Sequence, residues 1–250
     1  MKTAFLLLIL GLLTSCVMGA TVEELIAQGD AAHDAAEHVA ALTAYQSALA
    51  LDAKSCEITW KISRSYADIG DEKTDQAERT ENFKKAEDFA RQAIEICPNS
   101  DMAHLSLSIA IGRVALMSGK KEQVQLSQYV KAEAEKALEL NPQNDTAHHV
   151  YARWHRKVAT LSGISKTFAK ILYGGLPPAS LEDAEKHFLK AAELKPDHIN
   201  HYLELGITYE EMNQPEKAKA AYQKALALTS KNNQDKGYQA DASERLKTLN

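Results

Sequence analysis

The stretch from Asn200 to Ser230 constrains the fold of this chain more than any other. Tyr202, Leu205, Gly206, Tyr209, Ala218, Tyr222 and Ala225 stand at the spacing of a helix–turn–helix repeat of about 34 residues. Gly206 and the alanines are small where two helices must approach closely, and the tyrosines fill the gaps between successive helices. One such hairpin cannot bury its apolar face alone, so it implies stacked neighbours. The first expectation is therefore a chain that binds something.

The neighbours are visible as repeated helix ends. Ala48-Leu49-Ala50-Leu51-Asp52, Ala93-Ile94-Glu95-Ile96-Cys97-Pro98 and Ala137-Leu138-Glu139-Leu140-Asn141-Pro142 are three of them. Ala191-Ala192-Glu193-Leu194-Lys195-Pro196 and Ala225-Leu226-Ala227-Leu228-Thr229 are the others. Pro98, Pro142 and Pro196 forbid continuation of the helix before them. These ends divide the chain into units at about 21–54, 55–100, 101–144, 145–198 and 199–232. A C-terminal helix at about 235–249 then covers the open end of the stack. The expected fold is all-α, a right-handed tetratricopeptide-repeat superhelix (an α-α solenoid) forming a single domain over residues 20–250. The first unit keeps Gly29, Ala41, Tyr45 and Ala48 in register and opens on a capping-box pattern, Thr21-Val22-Glu23-Glu24. The fourth has Ala184, Phe188 and Ala191 in its second helix.

The spacing is uneven. Pro98 and Pro142 lie 44 residues apart and Pro142 and Pro196 54 apart, against about 34 for a standard repeat. The extra residues of the second and third units, Asp71 to Asn82 and Gly119 to Gln128, are charged and helix-friendly, so they lengthen the second helix of each hairpin. The fourth unit holds a different insertion, from about Thr160 to Ala179. An amphipathic stretch, Ser165 to Tyr173, runs into Gly174-Gly175-Leu176-Pro177-Pro178, which breaks the helix. Ser180 with Asp183 reads as the cap of the next one.

The N-terminus reads as an export signal over residues 1–19. Lys2 supplies a positive n-region, Ala4 to Leu13 an apolar run too short to span a bilayer, and Leu13-Thr14-Ser15-Cys16 looks like a bacterial lipobox. Cys16 is then the acylated residue that tethers the chain to a membrane. The rival is ordinary cleavage after Gly19 or Ala20. The expected location is the bacterial cell envelope, as an anchored lipoprotein or in the periplasm. Of the 250 residues 45% are hydrophobic and 25% charged, and the net charge is -5 with both signs interspersed. A nucleic-acid binder would show a dominant basic stripe instead, so nucleic acid is not an expected partner.

From Trp154 onward a more specific resemblance appears. Trp154, Lys166-x-Phe168-Ala169-Lys170, Tyr173-Gly174-Gly175-Leu176-Pro177-Pro178-Ala179-Ser180 and Glu185-x-x-Phe188-x-x-Ala191 resemble the regulator of microtubule dynamics family, as does Trp60-Lys61-Ile62-Ser63-Arg64. The resemblance runs from roughly Ser55 to the C-terminus, and the proline-containing insertion is its specific part. It implies an all-helical repeat protein without an enzymatic site, some members being associated with microtubules or organelle membranes. The lipobox-like N-terminus departs from that pattern, since a bacterial envelope offers no microtubule.

Among residues that carry chemistry, Cys56 and Cys97 fall at adjacent ends of the antiparallel hairpin of unit two. In an exported protein they make a disulfide closing a loop of about 41 residues, the rival being two half-buried free thiols. His148, His149 and His155 cluster, and His198-x-x-His201 shares a helix face. His148 falls at an inward position and no tight ligand set completes, so these read as packing, with no metal or other cofactor expected. No Ser–His–Asp order, P-loop or G-x-S-x-G elbow is present, so no enzyme is expected. The candidate partner-binding residues form a basic, aromatic patch at the insertion: Arg153, Trp154, Arg156, Lys157, Lys166, Lys170 and Tyr173. Lys166 and Lys170 stand one helical turn apart. The patch and the concave groove would take a protein or peptide partner. An anionic lipid held over an apolar tunnel is the alternative, with the aromatics read first as core. The sequence leaves the oligomeric state open.

Overall fold

The computed structural model describes residues 19–249, without the side chains of Ile164, Ser165, Phe168, Leu172 and Tyr173. Among these residues it forms twelve helices. They are α1 (Val22–Asp34), α2 (His38–Leu51), α3 (Cys56–Glu72), α4 (Gln76–Ile96), α5 (Asp101–Met117), α6 (Lys120–Leu140), α7 (Asp145–Ala159), α8 (Gly163–Tyr173), α9 (Leu181–Leu194), α10 (Ile199–Glu211), α11 (Pro215–Ala227) and α12 (Asn233–Thr248). They pack as antiparallel hairpins α1–α2, α3–α4, α5–α6, α7–α9 and α10–α11, each against the next, with α12 on the last. Of the two states the sequence left open for Cys56 and Cys97, the structure has the bridge: Cys56 at the start of α3 and Cys97 just after α4 are joined as a disulfide, with Cα atoms 6.0 Å apart.

Local chemistry starts the helices where the sequence places them. The Thr21 hydroxyl accepts from the Glu24 backbone while Glu24 accepts from the Thr21 backbone, closing the capping box. Ser55, Asp75, Ser100, Asn144, Ser180 and Asn232 cap α3, α4, α5, α7, α9 and α12 in the same sense. The lengthened helices are α4 and α6, 21 residues each against 14 for α2 and α9. The insertion folds as α8 and then turns out of the helix at Gly174 and Gly175, whose φ angles of 76° and 106° suit only glycine well.

The first, second and fifth hairpins are each closed by a glycine facing a large ring, whereas in the third Gly112 faces Val130. A Cβ at Gly29 would overlap the Tyr45 ring, one at Gly70 the Phe83 ring, and one at Gly206 the Tyr222 ring. Tyr45, Phe83 and Tyr222 are fully buried. In the fourth hairpin Ala152 and Phe188, both fully buried, share a cluster with Leu203 and Tyr222 of the fifth. Three residues also join the ends of the first and fifth hairpins, with Ala36 and Asn213 in the left-handed region at φ 59° and 57°.

One contact lies outside the repeat logic. The Asn232 side chain, which caps α12, donates to the Asp34 carbonyl at the end of α1 at 3.0 Å, across 198 residues. The superhelix therefore brings its first hairpin back beside its last helix.

Candidate functional site

At the candidate site the concave face is walled by the first helices of the second to fifth hairpins and by α12. It holds a cavity of about 430 Å³ walled by Asp71 of α3, Arg113 of α5, Arg153 of α7, Asn200 and Glu204 of α10 and Tyr238 of α12, among others. Ion pairs organise its walls. Arg113 donates to Asp71 at 2.7 Å, tying α5 to α3, and Arg153 lies 3.3 Å from Glu204, tying α7 to α10. Asn200 and Gln234 line the same cavity, and their amides make no hydrogen bond within the described residues. Burial pushes the Tyr238 hydroxyl up to about 12, so it stays a neutral donor.

Of the predicted patch, the structure brings only part to the surface. Arg156 is 3% exposed: its guanidinium bonds Glu204 closely and lies 3.6 Å from Glu211. Burial holds the Glu211 carboxyl above its ordinary value despite that neighbour. Arg156 is therefore an internal strut between α7 and α10 and not a surface cation. Its place on α7 between Ala152, Trp154 and Val158 turns it inward, and Glu204 and Glu211, distant in sequence, make that tolerable. Trp154 is likewise buried, and its indole N–H donates to the Ser127 carbonyl at 2.9 Å. Lys157, Lys166 and Lys170 are exposed, with the Lys166 ammonium donating to the Ala159 carbonyl at 2.7 Å. Helix α8 rests against α6, and none of the cavity-lining residues belongs to it. The patch thus divides between the groove (Arg153), the interior (Arg156, Trp154) and the insertion's own surface. Cys16, Asn250 and the side chain of Tyr173 lie outside the described residues.

The histidines singled out in the sequence lie in two clusters around α7. His149, not His148, is the buried one at 7% exposure; its Nδ1 lies 2.9 Å from Nδ1 of His201, whose Nε2 lies 3.1 Å from Asp145. His198 stacks on His201 with ring centroids 4.2 Å apart. His148 is only half-buried and meets His187 at 2.8 Å. The expected inward position was one residue off, a turn of about 100° on the helix. Burial, reinforced by the neighbouring rings, pulls His187 and His198 down to about 4 and His149 well below its ordinary value. The shifts hold His149, His187 and His198 towards the neutral form, and His198 Nδ1 is buried without a hydrogen-bond partner among the described residues.

Sequence reading missed Arg113, Asn200, Glu204 and Tyr238. For Arg113, Asn200 and Glu204 the signal was available: on first helices they are polar positions interleaved with the small and aromatic ones, hence on the other face, whereas Tyr238 stands on α12.

The family model of regulator of microtubule dynamics protein 1-3 matches residues 25–250. Regulator of microtubule dynamics protein 1 of Mus musculus is 30% identical over 233 residues, covering 92% of this chain and 75% of that protein. The Bos taurus protein of the same name is 27% identical over 90% of this chain and 71% of its own length. Among solved structures, a thermophilic TPR protein from Thermus thermophilus superposes with a TM-score of 0.66 at 16% identity, covering 92% of this chain and 98% of the other. The superposition shows a shared tetratricopeptide fold, and the sequence match shows the lineage: this chain belongs to the regulator of microtubule dynamics protein 1-3 family.

Proposed function

We propose that the chain is a non-enzymatic interaction scaffold that holds an extended segment of a protein partner in its concave groove. The observation that carries this reading is the pair of unpartnered amides, Asn200 and Gln234, lining a cavity of about 430 Å³ with mixed polar and apolar walls. A side-chain amide offers both a donor and an acceptor, which matches the backbone of an extended peptide. The flanking ion pairs of Arg113 and Arg153 supply charge that selects among peptides. A lipid carrier would call for a wholly apolar tunnel; Leu116, Leu203 and Ile207 line this cavity too, but the charged and amide side chains among them favour the peptide reading. The exposed Lys157, Lys166 and Lys170 form an outer basic rim that would draw an acidic stretch of the partner or anionic headgroups. We further read residues 1–19 as an export signal with Cys16 acylated, which puts the scaffold on a bacterial envelope membrane. The regulation of microtubules named for its relatives would instead require a cytosolic chain.

The test is affinity capture from the chain's own membrane extract, beside an Asn200→Ala, Gln234→Ala variant. One or a few proteins held by the parent and lost by the variant support the groove. Equal capture by both removes it, and stoichiometric lipid without protein replaces the reading by the carrier. Labelling with a palmitate analogue, lost in Cys16→Ala, tests the anchor separately.

A further inference from the structure

Away from the groove's polar walls and the α7 histidine clusters, three side chains from three helices converge. His33 lies near the end of α1, His38 opens α2, and Asp68 projects from α3. One ligand atom from each falls within 4.8 Å of the other two. His33 Nε2 is 3.4 Å from Asp68 Oδ2, and His38 Nδ1 is 3.6 Å from the same oxygen. Neither approach is a hydrogen bond: His38 Nδ1 and Asp68 Oδ2 are both buried from solvent and have no hydrogen-bond partner among the described residues. His38 itself is 5% exposed. A buried nitrogen and a buried carboxylate oxygen that face each other unbonded are costly unless something sits between them.

The separations say what would sit there. Around an ion with bonds of about 2.0–2.2 Å in tetrahedral geometry, neighbouring ligand atoms stand about 3.3–3.6 Å apart. We propose that His33, His38 and Asp68 form a binding site for a divalent transition-metal ion of the zinc class. The outer atoms fit the same reading. The second nitrogen of His38, Nε2, faces Glu72 Oε1 at 3.7 Å, and that of His33, Nδ1, faces Asp34 Oδ1 at 3.7 Å. At 3.7 Å these are electrostatic contacts and not hydrogen bonds, but a carboxylate behind each imidazole is the arrangement that outer partners of ligating histidines take. Two imidazoles and one carboxylate select zinc, cobalt, nickel or copper over magnesium and calcium, which want oxygen alone. The side chains of His33 and Asp68 are each 24% exposed, so the ion can enter and the fourth position goes to water or a partner's donor. The ion would clip the first hairpin to the second, next to the end of α1 where Asp34 receives α12.

The test uses the full chain, stripped with a chelator and titrated with zinc(II) against a chromophoric competitor, then with cobalt(II) followed by visible absorption. The expected result is one equivalent bound, a tetrahedral cobalt spectrum, and a rise in thermal midpoint with metal. His33→Gln and Asp68→Asn, both partly exposed and expected to fold, should lose the equivalent along with His38→Gln. Glu72→Gln should weaken it about ten- to a hundredfold, while His198→Gln should leave it unchanged. Absence of uptake by the parent chain overturns the site. So does an equivalent that survives His33→Gln and disappears in His198→Gln, which would move the metal to the α7 and α10 histidines.

Discussion

The fourth and fifth hairpins are built on one plan and connected very differently. In the fifth, α10 and α11 are joined by three residues. In the fourth, α7 and α9 are separated by the whole of α8 and the glycine–proline turn, yet they pack together as directly as α10 and α11 do. Loop closure explains why this is possible, since each doubling of a flexible connection costs only about 0.6 kcal/mol. The hairpin is decided by the small residue against the ring, Ala152 near Phe188 in one and Gly206 under Tyr222 in the other. The difference lies in what joins the two hairpins. The fourth contributes Arg156 and the fifth Glu204, an internal ion pair that a stack of purely apolar repeats would not need.

That pair is where the comparison breaks most easily. Arg156→Ala leaves Glu204 and Glu211 facing a buried gap, and should cost about 3–5 kcal/mol in urea unfolding. Arg156→Met with Glu204→Leu should recover much of the loss, because an apolar pair of similar volume is tolerated there. Next in size is Gly206→Ala, whose methyl meets the Tyr222 ring and should cost about 1–3 kcal/mol. Gly206→Ala with Tyr222→Leu should be less than additive.

Acid should act on both hairpins together. The folded chain keeps His187 and His198 neutral down to about pH 4, whereas in the unfolded chain they protonate near 6.5. Between those values the unfolded state binds more protons, so stability is full above pH 6.5 and is lost as pH falls towards 4. Urea midpoints at pH 7 and pH 5 should differ in that direction, by less than the upper bound of about 1.4 kcal/mol per pH unit per histidine because both rings are partly solvated. The smallest effect belongs to the exposed cations at and just before the insertion. Lys157→Glu and Lys170→Glu should change stability by no more than about 0.5 kcal/mol, although they stand close in sequence to Arg156. A large loss there would mean the insertion carries structural charge after all.

The hairpins were legible because their causes are local. Helix ends such as Ala137 to Pro142, caps such as Thr21 and Ser180, and the helix-breaking Gly174-Gly175 act within a few residues of themselves. The long α6 followed from the residues between Pro98 and Pro142, the long α4 from the charged, helix-friendly excess Asp71 to Asn82 in the second unit, and α8 from its amphipathic stretch. The groove was less legible. Its existence followed from the stack, but Arg156 was read as a surface cation because it stands among Arg153 and Lys157, and its partner is 48 residues away.

What the sequence determined by itself is therefore the unit: small residues, rings, caps and breakers specify a helical hairpin wherever they recur, through contacts of short range. What only the tertiary structure decided is the angle between units. That angle turns Arg156 towards Glu204, brings Asn232 to Asp34, and sets His33, His38 and Asp68 around one point. It is a sum of small rotations over successive packed helices, fixed by side-chain volumes at every interface at once. No short stretch of sequence carries that sum.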